Sequence, residues 1–493
     1  MRRPAPTTWH RVLVTLALAP MLAVALAAPN AAKPDLRSGW PLDQVLPWAP
    51  TPLQVTWLLW GAVGVGVLAV AVGLLGPIPP VGRAVPLALA AVGLLAAPTG
   101  SGDHLNYAAY GRILLAGGDP WVADPSAWAG GADPITSAVE DPWRHQPSVY
   151  GPVATALHAA AAWVGGDRLR LVVLAWQLVV VAAWLAVRWG LRTLVPTEHH
   201  GRVDVLWTLN PLLLWAGLLG AHVDTVATAL VVLALVAIGR WAPVPGAMAA
   251  GVAIGLAAGT KFTYAVAGLA LLLAWGWRTA LRRGPALAAS AAATLALVHL
   301  GTGPHVYEQL DRARHAVGFA SPWRLLLVEL KPSLGEAGTR AVITVGAAVL
   351  AVLLAAVLAW ATRPVGSAPG DARSVRAGGE DPRAVALRAA WWIAVLAGAY
   401  SLAAPYTLPW YDLLPWAVLP AVAVGVLDGV LLVRLALITA AYVPGRVAGM
   451  TPETVTLTMG VRRGLVPQLQ LVVWLATIAW VLVAKAQQRR LAR

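Results

Sequence analysis

The sequence lacks cysteine, has only 2 phenylalanines among its 493 residues, and carries few charges, 12% of the total. The absence of cysteine excludes disulfides, thiol nucleophiles and thiolate metal sites. The scarcity of charge says more, because 59% of the residues are hydrophobic. A water-soluble chain of this composition would have too little polar surface to cover itself, so the sequence predicts a membrane protein.

Basic residues outnumber acidic ones by 36 to 22, which gives a formal net charge of +14. In a membrane protein such residues report topology and contacts with anionic headgroups, so we expect membrane lipids as partners and no nucleic acid. Tryptophan is abundant, with 25 residues. Its ring suits the membrane interface and also stacks on sugars.

Long apolar runs predict an all-α polytopic membrane protein with about fourteen transmembrane helices, because a span needs roughly 20 apolar residues and must satisfy its own backbone. The predicted spans run from Val12 to Ala28, Gln54 to Leu75, Ala84 to Ala97, Leu169 to Leu191, Val203 to Leu219, His222 to Ile238, Gly246 to Thr260, Phe262 to Trp277, Pro285 to Leu300, Thr339 to Ala361, Ala386 to Ala403, Pro415 to Leu432, Val433 to Ala448, and Val466 to Ala484. Residues 151–165 are too short for a span and predict an outer juxtamembrane helix.

Basic residues also predict the orientation of the chain. Arg2 and Arg3 precede the first span and place the N-terminus in the cytoplasm. Alternation of the spans then puts both termini inside, Arg434 in a cytoplasmic turn, and residues 99–168 outside as one large loop. The first span has an alternative interpretation as a cleaved signal peptide.

The composition of residues 362–385 predicts a flexible cytoplasmic linker rich in glycine, proline and charge. It divides the chain into an N-terminal transmembrane bundle, residues 1–361, that carries the outer loop 99–168, and a group of C-terminal transmembrane helices, residues 386–493. The sequence predicts no soluble catalytic domain.

The large outer loop opens with a polar helix in which Asp103, Tyr107 and Tyr110 share one face. A carboxylate and two phenols aligned at the membrane interface favour a polar ligand. The alternative for Asp103 is that it only caps the N-terminus of this helix. Further along, Arg112, Arg144 and His145 favour phosphate binding, with contact to lipid headgroups as an equal alternative.

Three later outer turns also carry polar candidates. His222 and Asp224 lie at the start of the sixth span, where Asp224 has an equal interpretation as an N-cap. Lys261 lies in an outer turn almost without a loop, and an ionisable group there favours a phosphate contact over snorkelling. Asp412, next to Trp410 and Tyr411, suggests a sugar subsite, although an aromatic belt explains the rings equally well.

Together these motifs resemble the actinobacterial polyprenol-phosphomannose-dependent α-1,6-mannosyltransferases of the glycosyltransferase C superfamily. The residues that carry the similarity are Gly102-Asp103-His104, Tyr107-Ala108-Ala109-Tyr110-Gly111-Arg112, Gly118-Asp119-Pro120, Pro147-Ser148-Val149-Tyr150-Gly151-Pro152, Asn210-Pro211 with Gly220-Ala221-His222-Val223-Asp224, and Pro409-Trp410-Tyr411. The sequence departs from the family pattern at Asn106, where a small hydroxyl residue is expected, and at Trp121, where tyrosine is more usual.

The resemblance implies a membrane-embedded transferase that moves mannose from polyprenol-phosphomannose to a lipid-linked mannan or glycolipid acceptor, with inversion, at the outer face of the plasma membrane. It implies that Asp103 is catalytic. The expected substrate-binding residues are His104, Tyr107, Tyr110, Arg112, Asp119, Trp121, Arg144, His145, Tyr150, His222, Asp224, Lys261, Trp410, Tyr411 and Asp412. No metal site and no resident cofactor are predicted, although a divalent cation is compatible with the outer acids.

Two other functions stay open on residue types alone. One is a flippase or transporter of lipid-linked sugars, which many spans and basic outer groups allow; a transporter, however, typically has ionisable residues deep within its spans. The other is a transferase of the same fold that uses a different lipid-linked sugar.

Overall fold

The computed structural model describes residues 6–36, 44–308, 315–362 and 381–491. These residues form helices joined by turns, and within these ranges the only β pairing is an isolated bridge between Asn30 and Lys33. The predicted all-α class is therefore confirmed. Most of the predicted linker, residues 363–380, lies outside the described ranges, as do Arg2 and Arg3.

The longer helices follow the apolar runs of the sequence. In chain order they are α1 (Pro6–Leu26), α2 (Pro52–Leu74), α3 (Ala84–Leu95), α4 (Asp103–Leu115), α5 (Pro152–Gly165), α6 (Leu169–Leu194), α7 (Asp224–Arg240), α8 (Pro243–Thr260), α9 (Val266–His299), α10 (Trp323–Ala361), α11 (Pro382–Ala403), α12 (Leu413–Val418), α13 (Val426–Tyr442), α14 (Pro452–Met459) and α15 (Val466–Leu491).

Seven helices in the described part of the chain are long and apolar enough to cross a membrane: Pro6–Leu26, Pro52–Leu74, Leu169–Leu194, Pro243–Thr260, Phe262–His299, Trp323–Ala361 and Pro382–Ala403. The bent pair Pro211–Leu219 and Asp224–Arg240 makes an eighth if it is one span. These helices confirm a polytopic membrane protein, while the predicted number of about fourteen spans stays a prediction, as does the side of the membrane that each end faces.

Two details of the predicted topology are wrong. A single helix, α13, runs through the predicted boundary between Leu432 and Val433, and the chain breaks earlier, before Val426. Arg434 is not in a turn: its side chain is 1% exposed inside α13 and pairs with Asp412. An arginine that is neutralised in the core gives no information about topology.

The first large loop contains two helices, α4 and α5, separated by short 3-10 turns. Gly102 is the N-cap of α4 and makes no side-chain capping bond, and Asp103 is the first residue within the helix. Gly111 allows α4 to lie directly on α5, because a Cβ there would stand 2.2 Å from the carbonyl oxygen of His158. A helix is present at the predicted position 151–165, as α5, while its outer juxtamembrane placement stays a prediction.

The chain between α6 and α7 is a broken helical segment, residues 200–219, with two π-helical turns. Its last part, Pro211–Leu219, meets α7 at an angle of 106°. Ala221 takes a positive φ of 51° at the corner, and the indole of Trp176 donates a 2.7 Å hydrogen bond to its carbonyl oxygen. This bend fixes the positions of His222 and Asp224.

The helices on both sides of the predicted linker share one buried core that extends from Met21 to Trp474. Helix α11, the first after the linker, packs against α7, α9 and α10. The C-terminal helices therefore contribute directly to the site described next.

Candidate active site

Chain segments distant in sequence meet at one end of the helical bundle. They are the start of α4, the corner between residues 220 and 224, the turn between α8 and α9, and the turn before α12. Close backbone approaches hold them together: the N–H of Gly151 donates to the carbonyl oxygen of Thr260, and the N–H of Thr99 donates to that of Leu219. A Cβ at Gly151 would stand 2.2 Å from the carbonyl oxygen of Gly259, so this contact requires glycine.

Asp103 is the carboxylate at the centre of this meeting point. Its residue is 7% exposed, and its own N–H donates to the hydroxyl of Ser101 at 3.0 Å. Burial raises the pKa of the Asp103 carboxyl to about 6, and the nearby Asp224 adds to the rise, while Ser101, Lys261 and Tyr107 oppose it. Because Gly102 takes the N-cap position, the capping interpretation of Asp103 is wrong.

His222 faces Asp103 from the corner before α7. Its Nδ1 lies 2.5 Å from the carbonyl oxygen of Ala216, and a carbonyl only accepts, so Nδ1 carries a proton. Its Nε2 lies 3.7 Å from Oδ2 of Asp103, beyond hydrogen-bond length. The ring stacks on Trp410 with centroids 3.5 Å apart, which fixes its plane. In the neutral ring, Nε2 is thus an acceptor aimed at an acidic side chain.

Asp224 and Lys261 form a buried ion pair beside Asp103. Nζ of Lys261 lies 2.8 Å from Oδ1 of Asp224 and 3.4 Å from the centroid of the Tyr411 ring. Tyr264 donates to the same carboxylate oxygen at 3.1 Å. Within the described residues, Oδ2 of Asp224 has no hydrogen-bond partner. Asp224 is the first residue of α7 and Val223 is its N-cap, so the capping interpretation of Asp224 is also wrong.

A cavity of about 380 Å³ adjoins this ion pair. Its walls are mainly apolar, and Asp224 and several hydroxyl groups stand among them. The lining residues are Asp224, Phe262, Thr263, Tyr264, Ala265, Val266, Ala397, Tyr400, Ser401, Tyr411 and Leu414.

Behind Asp103, aromatic rings pack around the next turn of α4. Tyr107 stacks on His158 with centroids 4.7 Å apart and meets the edges of Tyr150 and Trp176 at 5.1 Å and 5.3 Å. Burial lowers the pKa of His158 to about 3, so this ring is neutral. The neighbouring His104 is 1% exposed and, within the described residues, neither of its ring nitrogens is hydrogen-bonded.

Arg112 lies at the opposite end of α4, nine residues and about 13 Å along the helix from Asp103. Its guanidinium is held by two carboxylates, with Nε 2.8 Å from Asp133 and Nη2 2.7 Å from Asp167. The structure therefore does not bring Arg112 to the ion pair of Lys261, and its donors are engaged within the loop.

Tyr110 and Trp121 are further candidates in the large loop. Tyr110 is buried and donates to the carbonyl oxygen of Gln146 at 2.9 Å. The indole N–H of Trp121 donates to the carbonyl oxygen of Tyr150 at 2.8 Å, and the backbone N–H of Trp121 donates to Oδ1 of Asp119. These contacts organise the loop around Tyr150.

Arg144 and His145 lie in a 3-10 turn on the surface of the same loop. His145 is exposed, and its Nδ1 bonds the hydroxyl of Ser126 at 2.8 Å. Arg144 is half-buried, and its carbonyl oxygen accepts a hydrogen bond from the N–H of Ser126. Neither residue contacts Asp103 or Lys261.

Asp412 is fully buried, with Oδ1 3.2 Å from Nε of Arg434. Arg434 in turn donates to Gln470 at 3.0 Å, and Gln470 donates to the carbonyl oxygen of Ala320. Asp412 therefore connects α12, α13 and α15 in the core. Its aromatic neighbours Trp410 and Tyr411 do reach the site, against His222 and Lys261 respectively.

Several residues of the site were missed by sequence reasoning. Tyr264 was detectable, because it follows Lys261 by three residues. Tyr442 packs edge-on against Trp410 at 5.1 Å, but it ends a long apolar helix and carries no local signal. Arg446 bonds Glu140 and the carbonyl oxygen of Asn30, which ties three distant loops together beside Gly102.

The described residues contain no group of three or more histidines, aspartates or glutamates placed to hold a metal ion. Asp103 and Asp224 are the two carboxylates of the site, and a divalent cation held there would need further oxygen ligands from a substrate.

Residues 14–278 match the sequence profile of the alpha-(1->6)-mannopyranosyltransferase N-terminal domain. This match spans more than half of the chain. The protein belongs to the alpha-(1->6)-mannopyranosyltransferase family. The resemblance seen in the sequence motifs is therefore confirmed. Asp103, His222, Asp224 and Lys261 lie within the part that matches the family profile, whereas Trp410 and Tyr442 lie beyond it.

Curated relatives in this family are similar to the chain over a limited stretch. A probable alpha-(1->6)-mannopyranosyltransferase of Mycolicibacterium smegmatis is 28% identical over 131 residues, 26% of this chain and 23% of the relative. Alpha-(1->6)-mannopyranosyltransferase B of Corynebacterium glutamicum is 29% identical over 138 residues, 27% of this chain and 22% of the relative. The matched segment thus spans less than a quarter of each relative. No solved structure matches the chain.

Proposed function

We propose that this family member is an integral membrane mannosyltransferase that transfers mannose from polyprenol-phosphomannose to a lipid-linked mannan acceptor in α-1,6 linkage, with inversion, at the outer face of the plasma membrane. The observation that carries the proposal is the buried Asp103 carboxylate, next to His222 and within the electrostatic influence of Lys261. Membership of the family supports it.

Asp103 is the general base in this proposal. A base works best when its pKa lies just below the operating pH, and the value of about 6 keeps Asp103 ionised at neutral pH while making it a better proton acceptor than an ordinary carboxylate. The acceptor hydroxyl passes its proton to Asp103 as its oxygen bonds the anomeric carbon, and the bond from that carbon to the phosphate oxygen breaks. Phosphate leaves as an anion without protonation, so one carboxylate suffices where a glycosidase needs two.

Lys261 binds the phosphate that departs. Only one of the three donors of its ammonium group faces Asp224, at 2.8 Å, which leaves others for phosphate oxygens. A positive charge fixed in a buried site stabilises the negative charge that collects on the leaving group more strongly than it would in water. The apolar cavity beside Lys261 accepts the first part of the prenyl chain, which continues into the lipid.

His222 accepts a hydrogen bond from Asp103 after the proton has been transferred to that carboxylate. Because Ala216 holds the proton on Nδ1, the free Nε2 is an acceptor facing Oδ2 of Asp103. Once Asp103 is protonated, its O–H can donate to Nε2 after a small approach, which stabilises the product state of the base. His222 is thus a positioning residue for Asp103.

The test is the substitution Asp103→Asn, which keeps the shape of the side chain and removes the base. We expect transfer of mannose from polyprenol-phosphomannose to fall by roughly 10²- to 10⁴-fold, the range of general-base contributions, with normal membrane insertion. The measurement is radiolabelled mannose transfer by purified protein in lipid nanodiscs.

The matched control is Asp167→Asn, because Asp167 is an exposed acid of the same loop, at the far end of α4. This variant should transfer mannose at the wild-type rate. Full turnover by Asp103→Asn would rule out the base assignment. Movement of the lipid-linked sugar across liposome membranes without bond formation would instead favour a transporter.

A further inference from the structure

Three arginines lie on aromatic rings near the active-site end of the bundle, and we call them the arginine patch. The guanidinium of Arg463 lies 4.0 Å from the centroid of the Phe319 ring, and that of Arg324 lies 5.3 Å from the same ring. The guanidinium of Arg462 lies 4.8 Å from the centroid of the Tyr442 ring. Two aromatic rings thus gather three positive charges.

The arginine patch differs from the other cations around the site in having no acidic partner within the described residues. Lys261 pairs with Asp224. Arg446 pairs with Glu140. None of the three patch arginines forms an ion pair or a side-chain hydrogen bond in the described part of the chain. The arginine patch is therefore a concentration of uncompensated positive charge.

The geometry of the arginine patch leaves its donors available. A guanidinium that stacks on a ring uses its flat face, while its N–H groups point outward in the plane. Arg462 and Arg324 are half-buried and Arg463 is exposed, and no side-chain hydrogen bond within the described residues occupies their N–H groups, which are therefore available to a ligand. Planar donor pairs of this kind bind phosphate oxygens bidentately.

Local backbone structure also sets Arg462 and Arg463 apart. Both lie in a π-helical turn, Gly460–Leu465, between α14 and α15. Single π turns are rare and occur often at functional sites, because the extra residue turns side chains out of the regular helical pattern. Here the turn directs two consecutive arginines to different rings, Tyr442 and Phe319.

The arginine patch is continuous with the active site through a chain of rings in contact. Tyr442, under Arg462, packs edge-on against Trp410, and Trp410 stacks on His222, which faces Asp103. Phe319, under Arg463, follows Gly318, whose N–H donates to the carbonyl oxygen of Pro405 in the same turn as Trp410. A ligand at the patch is therefore linked to His222 through Tyr442 and Trp410.

We propose that the arginine patch is a second phosphate-binding site, separate from Lys261, that takes the phosphate group of a membrane lipid at the entrance to the active site. Two sources supply this chemistry: the phosphate of a lipid-linked substrate, and the headgroup of bulk anionic lipid. The inference rests on the proposed function only for the identity of the substrate, since the patch is defined by its own contacts.

The test compares wild type with R462Q/R463Q in nanodiscs of phosphatidylcholine, with and without phosphatidylglycerol. If a substrate phosphate binds the patch, KM for that substrate rises about tenfold or more in the neutral nanodiscs, the loss expected for a charge-assisted hydrogen bond, while kcat stays within about twofold. If bulk lipid binds there, KM in neutral nanodiscs is unchanged, and native mass spectrometry shows fewer retained phosphatidylglycerol molecules on the variant.

The matched control is R278Q, which removes an arginine whose guanidinium lies 5.0 Å from the centroid of the Trp277 ring in α9, twelve residues beyond the start of that helix. It should leave both KM values and lipid retention unchanged. The variant R462K/R463K keeps the charge without the planar donors and should give an intermediate effect on KM or lipid retention. If R462Q/R463Q does not fold, R462K/R463K is used for the same measurements.

An unchanged KM for both substrates together with unchanged lipid retention would overturn the inference, and so would equal effects of R278Q. The lipid-retention measurement does not depend on turnover. A failure of the proposed function, seen as full activity of Asp103→Asn, is therefore distinguishable from a failure of the arginine patch.

Discussion

The two ends of helix α4 each carry a charged side chain, and the two differ in how completely they are paired. At its first turn, the buried Asp103 faces His222 at 3.7 Å without a hydrogen bond. At its last turn, Arg112 is held by Asp133 at 2.8 Å and by Asp167 at 2.7 Å. At the Asp103 end, some buried polar groups lack hydrogen-bond partners within the described residues. At the Arg112 end, the charged groups are paired with one another.

The pKa values of the two buried aspartates express the same difference. Burial dominates at Asp103 and raises its pKa to about 6. At Asp133 burial also acts in that direction, but hydrogen bonds from the N–H of Thr136, from Arg112 and from the N–H of Ile135 outweigh it and lower the pKa. A carboxylate whose hydrogen bonds from the protein outweigh its burial, such as Asp133, stabilises the fold. A buried carboxylate whose hydrogen bonds do not outweigh its burial, such as Asp103, is available to interact with a substrate.

The strongest test of this comparison is His222→Gln. If His222 stabilises protonated Asp103, kcat falls by roughly 10- to 100-fold while KM for both substrates changes little, because the interaction forms only as the proton moves. Steady-state kinetics with defined donor and acceptor measure the split. The pH at which kcat/KM begins to fall should also change in the variant. A purely structural role of His222 would not change that pH.

Loss of thermal stability without a change in kcat would contradict the assignment of His222 and would leave it as a packing partner of Trp410. A matched control is His145→Gln, since His145 is an exposed histidine of the large loop that contacts neither Asp103 nor Lys261. That variant should keep kcat and the pH profile of the wild type.

A smaller effect of a different kind is expected at the other end of α4. Asp133→Asn removes the charge that holds Arg112, so the free energy of unfolding should fall by about 1–3 kcal/mol, as for other buried charged hydrogen bonds. Thermal unfolding in detergent measures the loss. Turnover at a temperature where the variant is folded should stay within about threefold of wild type.

If Asp133→Asn instead abolished transfer without lowering stability, the two ends of α4 would not differ as described. Arg112 and Asp133 would then belong to the substrate site, and the phosphate role first expected for Arg112 would have to be restored.

The sequence was sufficient to predict the helices and turns that depend on local residue patterns. Apolar runs placed most of the long helices, and the spacing within residues 103–112 predicted a polar helix that starts at Asp103. Glycines and prolines placed the turns that carry His222, Lys261 and Trp410. Because these turns join the ends of neighbouring helices, their side chains could be expected to meet at one end of the bundle.

The sequence did not reveal which side chains become ion-pair partners through tertiary packing. The pairing of Arg434 with Asp412 crosses 22 residues, and that of Arg446 with Glu140 crosses 306, so no local pattern distinguishes these arginines from topological signals. The acids that engage Arg112 lie 21 and 55 residues away. For the same reason, Tyr442 and the arginine patch became visible only in the folded chain.

In the proposed mechanism the ionisation of Asp103 controls transfer, and the pH dependence of kcat/KM tests this dependence most directly. The base must be ionised, and with a pKa of about 6 it becomes protonated as the pH falls through that value. We therefore expect kcat/KM to be level above pH ~7 and to fall about tenfold per pH unit below pH ~6. A residual activity of Asp103→Asn that shows the same limb near pH 6, or a wild-type profile that stays level down to pH ~4, would contradict the account.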